Sequence, residues 1–271
     1  MPRRCRRYFA AVLLAAAAAM AGPLGTAMAA ANAEAIPVDA SGLREAARRA
    51  EGCGAPADAL AAVLDAAQAD RLDGDDAAAV LSMLLTACAE GLPGEPLAVK
   101  AAEGLAKGVP GPRLRSALRA LLDDLRFAGR TLGEYGRRSH QAPQREDVAA
   151  LARVLAGGMP REDAAAFAEA APGAPPAQLV VALENLSLLP QAGFDPRQLQ
   201  AVLYSGLRAA SLTPDWAYLP RVVRRALERG IGRDDILAAV DAELAGGGSL
   251  RGLLLRLGFT DRPLVDADPA S

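Results

Sequence analysis

Apolar residues recur at helical spacing along almost the whole 271-residue chain. One row of leucines shows this spacing clearly: Leu114, Leu118, Leu121, Leu122 and Leu125. Positions three and four residues apart lie on one face of an α-helix, so this row predicts an amphipathic helix. The same spacing is found at residues 60–67 and 236–244. No segment alternates between apolar and polar residues for long enough to predict a sheet. The pattern therefore predicts an all-α protein.

Glycine followed by a large apolar residue marks the predicted helix ends. These glycines are Gly91, Gly108, Gly158, Gly193, Gly230 and Gly258. Glycine adopts the left-handed conformation that closes a helix, and the apolar side chain after it packs back on the last turn. The residues that suit a helix start give eleven or twelve helices. They are Ser41, Pro56, Asp73, Pro93, Pro110 or Pro112, Asp147, Pro160, Pro175, Asp195, Thr213 or Pro220, Asp234 and Ser249.

The spacing of these signals indicates a repeated unit of two helices. Single helices take about 18 residues, and Gly158, Gly193 and Gly230 lie 35 and 37 residues apart. A period near 35 is typical of stacked antiparallel helical hairpins, in which each unit buries a face on its neighbours. The tetratricopeptide and ankyrin signatures are absent. The expected architecture is an irregular α-solenoid that resembles HEAT repeats by analogy, and an ordinary globular helical domain is the alternative.

The helical pattern is weakest at residues 129–146, which hold three glycines, a proline and few apolar residues. This composition predicts a loop or hinge between an N-terminal helical half, residues 41–128, and a C-terminal half, residues 147–260. Residues 30–40 and 261–271 are expected to be disordered.

Residues 1–29 have the composition of a signal peptide. Four arginines precede the apolar run from Phe9 to Ala21, and Ala27-Met28-Ala29 fits a cleavage site, with equivalents a few residues later. Arg6-Arg7 resembles a twin-arginine export motif, although general secretion fits as well. These features predict a periplasmic or extracellular protein of the bacterial cell envelope. An uncleaved membrane anchor is the alternative.

Charge argues against a nucleic-acid partner. The chain has 30 basic and 32 acidic residues, and removing the four arginines of the predicted signal leaves 26 against 32, a net charge of −6. A net-acidic chain lacks the positive surface that binding to a phosphate backbone requires.

Two of the three cysteines, Cys53 and Cys88, lie outside the predicted signal peptide. Their midpoint falls at the turn of the first predicted helical hairpin, so an antiparallel pair of helices brings them together at its open end. In an oxidising compartment this arrangement predicts a structural disulfide. A metal or redox pair would need CxxC spacing or histidine ligands, which the sequence lacks.

Two clusters of aromatic and basic residues are candidate partner-binding surfaces, because these residue types often anchor interfaces. The first cluster comprises Trp216, Tyr218, Arg221, Arg224 and Arg225. The second comprises Arg130, Tyr135, Arg137 and Arg138. Core packing for Trp216 and solvation for the arginines are the alternatives.

No catalytic or metal-binding set is evident in the sequence. His140 is the only histidine, the GxSxG elbow is missing, and the paired aspartates fit helix N-termini better than a calcium loop. No cofactor is expected. We therefore expect an exported, non-enzymatic protein that binds a protein or peptide, and the sequence identifies neither that partner nor the oligomeric state. The alternatives are an enzyme with a site near residues 129–146, or a membrane-anchored structural protein.

Overall fold

The computed structural model describes residues 36–259, which form twelve α-helices and two 3-10 turns without a β-strand. The all-α prediction is confirmed. The first six helices are α1 (Ala40–Glu51), α2 (Ala57–Gln68), α3 (Gly74–Ala89), α4 (Glu95–Ala106), α5 (Gly111–Ser139) and α6 (Arg145–Ala156). The last six are α7 (Arg161–Ala170), α8 (Pro176–Leu188), α9 (Pro196–Arg208), α10 (Leu219–Glu228), α11 (Arg233–Ala245) and α12 (Leu250–Arg256). The 3-10 turns are Leu189–Ala192 and Pro214–Tyr218.

Most helices pack on the next helix in the chain, and many also pack on the one after it. The second kind of contact joins α1 to α3, α2 to α4, α3 to α5, α5 to α7, α6 to α8 and α9 to α11. This pattern is what a stack of helical hairpins requires, because each unit buries its apolar face on a neighbour. The assignment to a HEAT-like class of repeat stays a prediction.

Side-chain hydrogen bonds between neighbouring units also follow the expected period. Tyr204 Oη reaches the Phe167 carbonyl across 37 positions, and Ser211 Oγ donates to the Leu244 carbonyl across 33 positions. Arg161 donates to Asp124 across 37 positions. Separations near 35 arise because two helices and their turns intervene between the bonded residues.

The glycine punctuation is confirmed at all six predicted positions, since each of these glycines has a positive φ. At Gly91, for example, the φ is +71°, and the amide of Leu92 donates to the Ala87 carbonyl at 2.8 Å. That bond spans the last helical turn, as in a Schellman motif, and Leu92 packs against the core. The same closing bond is made by the apolar residues Val109, Met159, Ile231 and Phe259.

Three described helices end in the same way without a glycine, at Asp70, His140 and Ala210, and Ala210 provides a test of this account. Ala210 has a φ of +51°, and the next amide, that of Ser211, donates to the Gly206 carbonyl at 3.0 Å. We expect Ala210→Gly to raise the free energy of unfolding by about 0.5–1 kcal/mol, because the left-handed conformation strains a residue with a Cβ atom. Gly230→Ala is the matched control and should lower it by about 1 kcal/mol, although a Cβ there has open space. Urea unfolding measures both, and equal stability of all three proteins would contradict the prediction.

The predicted loop at residues 129–146 is corrected by the structure. Helix α5 continues to Ser139, and the non-helical connection to α6 covers only residues 140–144. The buried residues Leu125, Ala128, Leu132 and Tyr135 keep helical spacing through the segment.

Close packing explains two glycines in this part of α5. A Cβ atom on Gly129 would lie 3.1 Å from Leu92 Cδ2, and one on Gly136 would lie 2.4 Å from the Gln141 carbonyl oxygen. These glycines admit close neighbours without breaking the helix. The described residues form one compact unit, in which α5 packs on α3, α4, α6, α7 and α8. The predicted signal peptide and C-terminal tail lie outside the described residues.

Cys53 and Cys88 form the predicted disulfide, with their Cα atoms 5.7 Å apart. Cys53 lies in the turn before α2, and Cys88 lies in the last turn of α3. The bond therefore closes the open end of the α2–α3 hairpin, and the prediction is confirmed.

Candidate functional site

The structure separates the members of the first predicted cluster. Trp216 has no exposed surface and lies in the core, where its carbonyl accepts a hydrogen bond from Asn185 Nδ2 at 3.1 Å. Its Nε1 has no hydrogen-bond partner in the described part of the chain. The 3-10 turn that carries Trp216 packs on α8 and α10. Trp216 is thus a core residue and is removed from the candidate surface.

The remaining members of this cluster lie at the surface of α10 and of the 3-10 turn that precedes it. Tyr218 is 54% exposed, and the guanidinium of Arg221 lies 5.4 Å from its ring centroid. Arg224 and Arg225 both reach Glu228, at 4.0 and 3.6 Å, with more than half of each arginine side chain exposed. Such exposed pairs contribute little to stability. Helix α10 therefore presents an arginine-rich face that is partly neutralised by Glu228.

Two members of the second predicted cluster join elements of the fold. Tyr135 is 1% exposed; its hydroxyl donates to the Pro172 carbonyl at 2.6 Å and accepts from the Ala174 amide at 3.0 Å. Burial raises the pKa of Tyr135. Arg138 donates to two carbonyls at the end of α7, those of Ala168 and Glu169, at 2.6 and 2.8 Å. Both side chains thus hold α5 against the chain around the α7–α8 turn, and neither is free for a partner.

Arg130 and Arg137, the other two members, are exposed on α5. Neither makes a hydrogen bond or ion pair with another described residue. Both therefore remain available to a partner.

His140 has a structural position at the end of α5. Its φ is +57°, so it is the left-handed residue that closes the helix, and its side chain is exposed. His140 and Tyr135 line none of the three grooves described below.

The largest concave feature described is a groove of about 680 Å³ between α4, α5 and α6. Small and apolar residues form much of its lining: Val99, Ala117, Ala120, Leu121, Ala149 and Ala156. Val99 is 40% exposed although its side chain is apolar. A volume of this size lies in the range of typical ligand sites. We call this feature the alanine groove.

Charged residues of both signs border the alanine groove. Glu95, Glu103 and Asp124 are opposed by Lys100 and Arg153. Asp124 is already occupied, because Arg161 at the start of α7 donates to it at 2.7 and 3.0 Å. The groove is therefore close to neutral, and its floor is accessible to an uncharged segment.

A second groove, of about 340 Å³, adjoins the alanine groove, and Gly157 lines both. Its lining combines apolar residues with amides: Met159, Pro160, Leu186, Pro190, Gln191, Pro196 and Gln200. The two grooves thus follow the surface from α4 to the start of α9.

The sequence did not reveal these grooves. Ala117 and Ala120 look like ordinary helix-forming residues, and only their exposure beside a neighbouring helix distinguishes them. The alanines of α5 that lie outside its row of buried leucines, Leu114, Leu118, Leu122 and Leu125, were the available signal.

Among residues 36–259, no group of three or more histidine, cysteine or acidic side chains is placed to bind a metal. Within the same range, no helix is long and apolar enough to cross a membrane. Comparison with known proteins finds no matching family model, curated protein or solved structure.

Proposed function

We propose that this chain is an exported, non-catalytic helical-repeat protein that binds an extended peptide segment of a partner protein in the alanine groove. The observation that carries the proposal is that two grooves adjoin: Gly157 lines both, and together they extend from α4 to the start of α9. Stacked helices generally bind partners along such extended surfaces. The role of the protein is then that of a scaffold or adaptor in the bacterial cell envelope.

The lining of the two grooves suits a peptide. Alanines such as Ala117 and Ala120 allow a peptide backbone to approach the helices closely, and Val99 offers an exposed apolar contact. The side chains of Gln191 and Gln200 supply hydrogen-bond donors and acceptors in the second groove. Apolar contact combined with a few polar groups is typical of specific ligand sites.

Two observations support export. The first 29 residues have the composition of a signal peptide, and Cys53 and Cys88 are joined by a disulfide. Structural disulfides persist in oxidising compartments such as the periplasm. The enzymatic alternative, a site near residues 129–146, has less support, because the titratable ring side chains of that segment are those of Tyr135 and His140. These residues serve a core contact and a helix end.

Selection of a displayed random peptide library for binding to the mature, disulfide-bonded chain tests the proposal. We expect it to yield peptides that Ala120→Trp binds about tenfold more weakly, because an indole there fills part of the groove. Ala61→Trp is the control, since Ala61 is exposed on α2 away from the described grooves. Fluorescence anisotropy gives the Kd values. The proposal fails if the library yields no binders, or if all selected peptides bind Ala120→Trp as tightly as the wild type.

A further inference from the structure

A third groove, of about 400 Å³, lies between the α3–α4 turn, α5 and the start of α6. Its apolar lining comprises Leu92, Pro93, Gly129, Pro143 and Val148. Its basic lining comprises Arg126, Arg130 and Arg145, and Glu90 is its only acidic residue. Three arginines against one glutamate give a net charge of +2. We call this feature the basic groove.

Arg126 is already engaged within the fold. It donates from two nitrogens to the two carboxylate oxygens of Glu90, at 2.6 and 2.8 Å, and also to Asp123 at 3.2 Å. Hydrogen bonding to Arg126 lowers the pKa of Glu90. The single carboxylate of the groove is therefore occupied and does not neutralise the other two arginines.

Arg130 and Arg145 are exposed, and neither makes a hydrogen bond or ion pair with any other residue of the described part of the chain. They lie on different helices, α5 and α6, at the border of one apolar floor. Arg119 and Arg137 lie on the same face of α5 as Arg130, because they are separated from it by whole numbers of turns. This concentration of unpaired cations contrasts with the net charge of −2 of the whole chain.

The chemistry of this groove fits an acidic peptide with apolar side chains. A guanidinium binds a carboxylate through two parallel hydrogen bonds, and the floor of Leu92 and Val148 buries an aliphatic or aromatic side chain. The lining contains no aromatic platform on which a nucleotide base would stack. We propose that the basic groove binds a partner segment in which aspartate or glutamate lies next to apolar residues.

This site is separate from the one assigned to the proposed function. Ala117, Ala120 and Leu121 project from one side of α5, whereas Arg126, Gly129 and Arg130 project from roughly the opposite side, since each residue turns a helix by about 100°. No residue lines both grooves. The two proposals can therefore fail independently.

The test uses the same displayed library, selected on the wild type and on the double variant Arg130→Gln/Arg145→Gln. We expect the wild type to enrich peptides with Asp or Glu beside an apolar residue, and the double variant to lose them. The Kd values of synthetic copies of the enriched peptides should be about tenfold or more higher for the double variant than for the wild type at low salt. The difference should be smaller at high salt. Arg126 is left unchanged, because removing it would unpair Glu90.

Four controls make the outcome decisive. Arg208→Gln removes an exposed charge on α9, and equal weakening by this variant would show a general charge effect and overturn the proposal. Equal binding of copies with Asp and Glu replaced by Asn and Gln would also overturn it, as would no enrichment of acidic peptides. If binding to phosphatidylglycerol vesicles requires Arg130 and Arg145 and binding to the peptides does not, the surface binds lipid instead. Unchanged binding in Ala120→Trp separates this groove from the alanine groove.

Discussion

Trp216→Ala should lower the free energy of unfolding by about 4 kcal/mol, because it empties the largest fully buried side-chain position in the described core. The indole lies in a 3-10 turn between α8 and α10, so the cavity opens where three elements meet. Urea unfolding followed by far-UV circular dichroism measures the change with the disulfide intact. Fluorescence is unsuitable, since Trp216 is the only tryptophan of the chain.

Two variants separate this effect from loss of a surface contact. Tyr218→Ala should change stability by less than about 0.5 kcal/mol, because Tyr218 is 54% exposed. Trp216→Phe should cost only about 1–2 kcal/mol, since the phenyl ring keeps most of the apolar volume and Nε1 has no partner to lose. If the free energy of unfolding of Trp216→Ala lies within about 1 kcal/mol of the wild-type value, the turn repacks to fill the cavity.

Removal of the disulfide should have the second large effect. The Cys53→Ala/Cys88→Ala variant is expected to lose about 3.8 kcal/mol, the value that loop entropy gives for cysteines 35 residues apart. The physical reason is that the bond restricts the unfolded chain. Urea midpoints with and without dithiothreitol provide the check. The reductant should destabilise the wild type by the same amount and leave the double variant unchanged.

The stability lost on removing the disulfide should be confined mainly to the helices near it. Units in a stack contact only their neighbours, so amide hydrogen exchange in α1 to α3 should increase more than exchange in α8 to α11. A uniform increase along the chain would mean that the described helices unfold as one cooperative unit. It would contradict the repeat-like behaviour that the packing implies.

The candidate sites could be predicted from sequence only in part. The sequence singles out Trp216 and Tyr135 as residue types that anchor interfaces, but side-chain type does not determine exposure. Asn185 and Pro172 form hydrogen bonds with these residues and lie 31 and 37 positions from them in the sequence. A local pattern contains no information on such contacts. Arg130 keeps its place at a candidate surface because no acidic side chain of the described fold reaches it.

The segment around residues 129–146 shows how far the backbone structure could be predicted from the sequence. Its glycines suggested a break, whereas Gly129 and Gly136 are accommodated in a continuous helix because Leu92 and the Gln141 carbonyl approach them closely. Helical spacing of Leu132 and Tyr135 already opposed a break in the first part of this segment.

The sequence by itself determined the helices, most of their ends, the near-35 spacing of their signals and the cysteine pairing. These depend on local features: the periodicity of apolar residues, the ability of glycine to adopt the left-handed conformation, and the position of the hairpin turn midway between the two cysteines. Only the tertiary structure decided which aromatic residues are buried, which arginines stay unpaired and where the grooves lie. Burial and ion pairing depend on neighbours about 30 to 40 residues away along the chain, which the stacking of helices brings into contact.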